Sequence, residues 1–154
     1  MRIIIIAAGR QHESHIKPAV ELYESRLKRF IRLEWELIPH AGSSDTERLK
    51  TLESDAILAK IKPDDTVVLL DERGEMWDSL AFAQRLDGWQ SRTRGGLVFI
   101  IGGAYGVDER VHARADAVFS LSKLVFPHQL VRVLIAEQLY RAYAINGGLP
   151  YHHQ

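Results

Sequence analysis

A chain of 154 residues with 46% hydrophobic content has the size of one ordinary domain and enough apolar material for one buried core. Twenty basic residues balance twenty acidic ones, which excludes the broad positive field of many nucleic-acid binders but leaves room for a local basic patch, or one shared between two copies. The absence of cysteine excludes a disulfide framework, a thiolate metal site and a thiol nucleophile, and makes a reducing, cytoplasmic setting the expectation.

The chain opens on a β-branched run, Arg2 to Ala8, that reads as a strand. It is too short to span a bilayer, and no small-residue cleavage pattern follows the basic start, so no membrane association is expected. Val20, Tyr23, Leu27 and Phe30 then recur at helical spacing, with Pro18 where a first turn tolerates it. Leu33 to Ile38 is a second strand. Ser44 and Glu47 make a capping signature ahead of a helical face through Leu49, Leu52, Ala56 and Ile61. A third strand spans Thr66 to Leu70, and Asp78 or Ser79 caps a helix running through Leu86 to Trp89. Leu97 to Ile101 is the fourth strand; Asp108 caps a short helix ending near Arg114. Ala117 to Leu121 is the fifth strand, and a final helix covers about Gln129 to Asn146.

Strand and helix alternate throughout, with no linker or repeat, and most strand runs are continuously apolar, as in strands covered on both faces. The fold class is α/β, a mainly parallel sheet flanked by helices, and one domain over residues 1–154 is expected. Ligands of such sheets bind beyond the carboxyl ends of the strands.

Three segments lie there. Leu70-Asp71-Glu72-Arg73-Gly74 places a carboxylate where it can meet a ligand amine or hydroxyl, although Asp and Gly are also ordinary turn residues. Gly102-Gly103-Ala104-Tyr105-Gly106 lets backbone approach a ligand closely, yet matches neither the dinucleotide fingerprint nor a phosphate loop; a plain tight turn is the alternative. Ser120 to His128 is apolar for a connection, so Leu124, Val125 and Phe126 are expected to be buried, ligand-lined or threaded through another segment.

The last helix carries an apolar surface wider than one core-facing stripe, which implies a partner surface. Arg132 and Arg141 interrupt it and are either solvated or aimed at phosphate. The tail Leu149 to Gln154 joins an aromatic ring to imidazoles suited to RNA, or is simply a frayed end. His12 and His15 stand three apart without any recognised metal-ligand spacing, so no metal is expected.

Taken together, Gly102-Gly103-x-x-Gly106, Ser120-Leu121-Ser122-Lys123, Phe126-Pro127-His128, Val131-Arg132-Val133, Glu137-Gln138, Tyr140-Arg141-Ala142 and Tyr151-His152 resemble the small SPOUT-type ribosomal large-subunit pseudouridine N3-methyltransferases. The likeness spans nearly the whole chain, including Ala7-Ala8-Gly9. It implies a C-terminal deep trefoil knot, an exception to the rule against threaded loops. It also implies a homodimer packed around the knot, and S-adenosylmethionine held by Leu70, Gly102 and the segment Leu121, Ser122, Lys123, Leu124, Val125 and Phe126. The implied substrate is a pseudouridine in a stem-loop of large-subunit rRNA within assembled ribosomes. Glu75 and His153 stand where relatives often carry basic residues, which lowers the positive charge near the implied RNA face.

Methylation at N3 requires loss of an imide proton, for which His128 and His152 are the candidate bases. Arg132, Arg141, Tyr151 and His153 are the candidate RNA contacts. A non-catalytic nucleotide-binding regulator and a ribosome-binding structural dimer are the rival readings. A hydride-transfer enzyme is disfavoured by the missing fingerprint.

Overall fold

The computed structural model describes residues 1–153. Five strands form one sheet in the order β2-β1-β4-β3-β5, with every neighbouring pair parallel. They are β1 (Arg2–Ala8), β2 (Arg32–Ile38), β3 (Thr66–Met76), β4 (Leu97–Ile101) and β5 (Ala117–Ser120). The helices are α1 (Lys17–Leu27), α2 (Thr46–Ala59), α3 (Ser79–Arg92), α4 (Glu109–Arg114) and α5 (His128–Asn146).

The continuous apolar runs have a simple cause. Successive strand residues face opposite sides, and here both sides are covered. Ile3, Ile5, Ala7, Leu97, Phe99 and Ile101 pack with Leu27, Phe82, Leu86, Ile135 and Leu139, from α1, α3 and α5. Ile4, Ile6, Ala8, Val98 and Ile100 pack with Ile57 of α2 and Val111 of α4 on the other side. Neither side of the central strands can carry a polar residue without burying it.

Local sequence and structure differ at several ends. The cap of α2 is Asp45 rather than Ser44: its carboxylate accepts from the backbone N–H groups of Glu47 and Arg48, an arrangement favourable to the helix dipole. Asp78 and Asp108 cap α3 and α4 as expected. Helix α1 stops at Leu27, short of Phe30, whose ring instead stacks on Tyr143 of α5 at 5.4 Å. Strand β5 ends at Ser120, one residue before Leu121.

The largest difference lies in β3. Asp71 to Gly74 is not a loop that ends the strand; β3 continues to Met76, and both Leu70 and Glu75 pair with Phe119. The residues between them bulge out of the ladder and are carried to the carboxyl edge of the sheet. Gly74 makes this close return possible, because a Cβ there would lie 2.6 Å from the backbone of Val118.

Candidate functional site

At the carboxyl ends of β3, β4 and β5 the chain encloses a cavity of about 560 Å³. This is the position at which open α/β sheets bind ligands, and the volume suits a small organic molecule. Its wall includes Leu70, Gly102, Leu121, Ser122, Val125 and Phe126, six of the eight residues expected to hold a cofactor. Lys123 and Leu124 are exposed and lie outside the wall. Leu124 and Val125 are 69% and 78% exposed, so this apolar connection is only partly buried; of the three apolar residues, Val125 and Phe126 line the cavity and Leu124 does not.

The β3 bulge supplies the polar rim. Asp71 accepts from the Arg73 backbone N–H at 2.9 Å and from the guanidinium at 3.2 Å. Burial alone would raise its pKa, but these bonds overcome it and hold the carboxyl below its usual range. Arg73 also reaches His112 Nε2 at 2.9 Å, where the imidazole must accept because a guanidinium only donates. Asp71, Glu72, Arg73, Lys50 and Glu109 bring both signs of charge to the cavity.

His128, the first residue of α5, lines the same cavity. Its Nδ1 is buried without a hydrogen-bond partner in the chain. Burial first, then the Arg132 and His40 charges, push its pKa below the ordinary histidine value, and Glu13 and Glu53 oppose them. Burial and the neighbouring positive charges thus favour the neutral form of His128, whose ring stands beside a ligand-sized space.

His152 is placed differently. Its Nδ1 accepts from the Arg141 guanidinium at 3.1 Å, so that lone pair is engaged. Arg141 is bound to Glu137 at 2.6 Å, and lies over the Tyr151 ring at 4.8 Å. Tyr151 donates its hydroxyl to Glu137 at 3.2 Å and meets Tyr140 edge-on at 4.7 Å. Burial, then the Glu137 carboxylate, push the Tyr151 phenol up to about 12. Tyr151 and His152 are thus docked along α5 rather than frayed, while Gln154 lies outside the described residues; Arg141 lies roughly 20 Å from His128 along the helix axis. His153 is exposed beside this cluster.

Arg132 corrects an expectation. It is fully buried, and its guanidinium donates to the carbonyls of Ala8 at 2.7 Å, Gly9 at 3.2 Å and Gln11 at 3.0 Å, and to His12 Nδ1 at 3.1 Å. A guanidinium surrounded by four acceptors of its own chain is not presented to phosphate. It ties α5 to the end of β1.

Two residues that carry much of this geometry, His40 and Glu53, escaped notice in the sequence. Glu53 belongs to the buried face of α2 together with Ser54 and Ile57, and nothing in helical spacing distinguishes a buried carboxylate from a solvated one. Among the described residues no group of three or more His, Cys, Asp or Glu side chains is disposed to hold a metal ion, and no helix is long and apolar enough to cross a membrane.

A family model described as "Predicted SPOUT methyltransferase" matches residues 1–152. Among full-length relatives, the Ribosomal RNA large subunit methyltransferase H of Christiangramia forsetii is 37% identical, with 100% of both chains covered. The protein of the same name from Bacteroides thetaiotaomicron is 39% identical at the same coverage, and that of Anaeromyxobacter sp. strain K is 40% identical over 99% of each chain. A solved structure described as a probable methylase family protein from Haemophilus influenzae Rd KW20 superposes with a TM-score of 0.57. It covers 99% of this chain and 70% of its own at 11% identity, a likeness of fold alone.

Proposed function

The chain belongs to the SPOUT methyltransferase family, and on that premise we propose that it transfers a methyl group from S-adenosylmethionine to N3 of a pseudouridine in large-subunit rRNA, acting on assembled ribosomes. The observation that carries this reading is the cavity at the ends of β3, β4 and β5, with the His128 imidazole on its wall. The full-length relatives are named for methylation of large-subunit rRNA, which supports the substrate class.

The residues present fit the cofactor. Leu70, Leu121, Val125 and Phe126 offer apolar surface to an adenine ring, while the backbone of Gly102 and Ser122 offers hydrogen bonds to its edge. Lys123 and Leu124 continue the same binding segment outside the wall. When bound, the cofactor supplies a methyl group made electrophilic by its sulfonium. The protein's own tasks are to align N3 with that carbon and to take the imide proton. We assign the proton to His128 rather than to His152, whose Nδ1 is engaged by Arg141.

Arg141, Tyr151 and His153 remain the proposed RNA contacts; Arg132 does not. Because the tail lies far along α5 from its own cavity, a tail that meets the target base beside one cavity comes from a second copy. We therefore read the active form as a homodimer, with the half-buried Val131, Val133 and Leu134 and the exposed Leu130 as its apolar face. The connection from β5 to α5 is assigned to the deep trefoil knot of one SPOUT domain. A ribosomal substrate makes the protein cytoplasmic.

Transfer of a labelled methyl group to ribosomes, isolated large subunits and naked rRNA tests the reading. Label in the RNA of ribosomes alone is the expected result. Cofactor binding with no label on any of the three would overturn it in favour of a non-catalytic ligand-binding dimer.

A further inference from the structure

Behind the cavity wall stands a pair of groups that the fold's core does not require. Glu53 is 2% exposed, and its Oε2 lies 3.2 Å from Nδ1 of His40. The His40 ring in turn meets the His128 ring edge-on, at 5.7 Å between centroids and 78° between planes. Three titratable side chains from the end of β2, from α2 and from the start of α5 therefore form a line that ends on the cavity.

We propose that Glu53 and His40 are positioning residues for methyl transfer: the buried carboxylate holds the His40 ring against His128 and makes the neutral His128 imidazole a stronger proton acceptor of the cavity. This inference rests on the methyltransferase reading given above.

Two glycines show how closely the line is built. A Cβ on Gly103, in the loop that walls the cavity, would lie 2.4 Å from Glu53 Oε1. A Cβ on Gly9 would lie 3.2 Å from His40 Nε2, and Gly9 has φ +109°, so a side chain there is strained as well as crowded. The carboxylate thus backs directly onto cavity wall, and the imidazole, half-exposed to solvent, is bordered on its inner side by Gly9, Glu53 and His128.

The charges act in a definite sense. The groups that bear on His128 are Arg132 from its own helix, His40 from beyond β2, Glu13 from beyond β1 and Glu53 from α2. Arg132 and His40 disfavour the imidazolium, and the two carboxylates favour it. Without Glu53, His128 becomes a weaker base and the His40 ring loses its anchor. In the transfer step the N3–H bond of the base breaks and its proton passes to the neutral imidazole of His128, which lines the cavity. The electron pair left on N3 forms the new bond to the methyl carbon as the carbon–sulfur bond opens, its pair leaving with sulfur.

The test uses the full chain in its unaltered, Glu53→Gln, Glu53→Asp and His40→Gln forms. The titration of His128 is followed by NMR, and single-turnover methyl transfer to ribosomes at saturating S-adenosylmethionine is followed across pH. In Glu53→Gln the His128 titration should move to lower pH. The acid limb of transfer should move with it, and the plateau rate should fall roughly tenfold, within the span general-base assistance supplies. Glu53→Asp should recover part of both, and calorimetric cofactor affinity should stay unchanged. An unmoved His128 titration in Glu53→Gln would overturn the inference whatever the activity. So would a rate loss uniform across pH and accompanied by weaker cofactor binding, the mark of a merely structural brace. A displaced titration together with no transfer by the unaltered protein would instead overturn the methyltransferase reading, and the role in transfer with it.

Discussion

Arg132 Nη2 donates to the carbonyl of Ala8 at 2.7 Å, joining α5 to the end of β1 across 124 positions of sequence. The bond is one of four from the same buried guanidinium, and each acceptor would be left without that partner if the side chain were shortened. Arg132→Ala should therefore lower stability by about 3 kcal/mol, since orphaned buried polar groups cost more than their bonds contribute. Urea unfolding followed by circular dichroism measures it. Ribosome affinity of the fraction that remains folded should be unaltered, in contrast to a phosphate contact.

Gly74 is the hinge on which the β3 bulge returns to β5. Gly74→Ala should cost about 1–3 kcal/mol, because the new methyl meets Val118 backbone, which cannot rotate away. Since the bulge carries Asp71 and Arg73 to the cavity, S-adenosylmethionine should also bind more weakly. Thermal melts and calorimetric titration of the variant separate the two effects.

Stability should depend on pH through His12 and His128. Both are shifted below 6.5, by burial first and by the Arg132 charge second. A histidine whose folded value is depressed binds its proton more readily when unfolded. Its contribution is therefore complete above 6.5 and is lost as pH falls through the folded value. Urea midpoints should decline as pH drops below 6.5, and the decline should be smaller in a His12→Asn, His128→Asn double variant. Equal slopes in the two proteins would remove these residues from the account.

The docked tail gives a prediction on substrate alone. Deleting the residues from Leu149 onward removes the Tyr151 ring and the imidazoles. The ribosome concentration for half-maximal transfer should rise roughly tenfold, the scale of one lost stacking contact. Cofactor affinity should not change, because none of the described tail residues lines the cavity. Steady-state transfer at varied ribosome concentration, alongside calorimetry, measures both.

Much of the architecture could be read from the residues because the sheet is buried on both faces. Runs such as Ile3 to Ala8 and Leu97 to Ile101 have few other uses in a chain of this size, and Asp78 and Asp108 announce their helices by local chemistry. Strand ends were less legible. Asp71 to Gly74 has turn composition, and only the tertiary pairing of both Leu70 and Glu75 with Phe119 turns it into a bulge. Within the site, the glycine loop and the Leu121 to Phe126 segment were visible as anomalies, an apolar connection above all. Arg132 misled because an arginine on a helix looks the same whether its acceptors are phosphates or carbonyls more than a hundred residues away. Glu53 and His40 left no local signal, since what matters about them is whom they meet.

The most direct measurement is the identity of the methylated nucleotide, read by nuclease digestion and mass spectrometry of large-subunit rRNA after reaction on assembled ribosomes. The expected product is a single pseudouridine carrying the methyl group on N3, with an accompanying block to reverse transcription at its pairing edge. A methyl group found on a ribose, on another base, or on many sites at once would contradict the account.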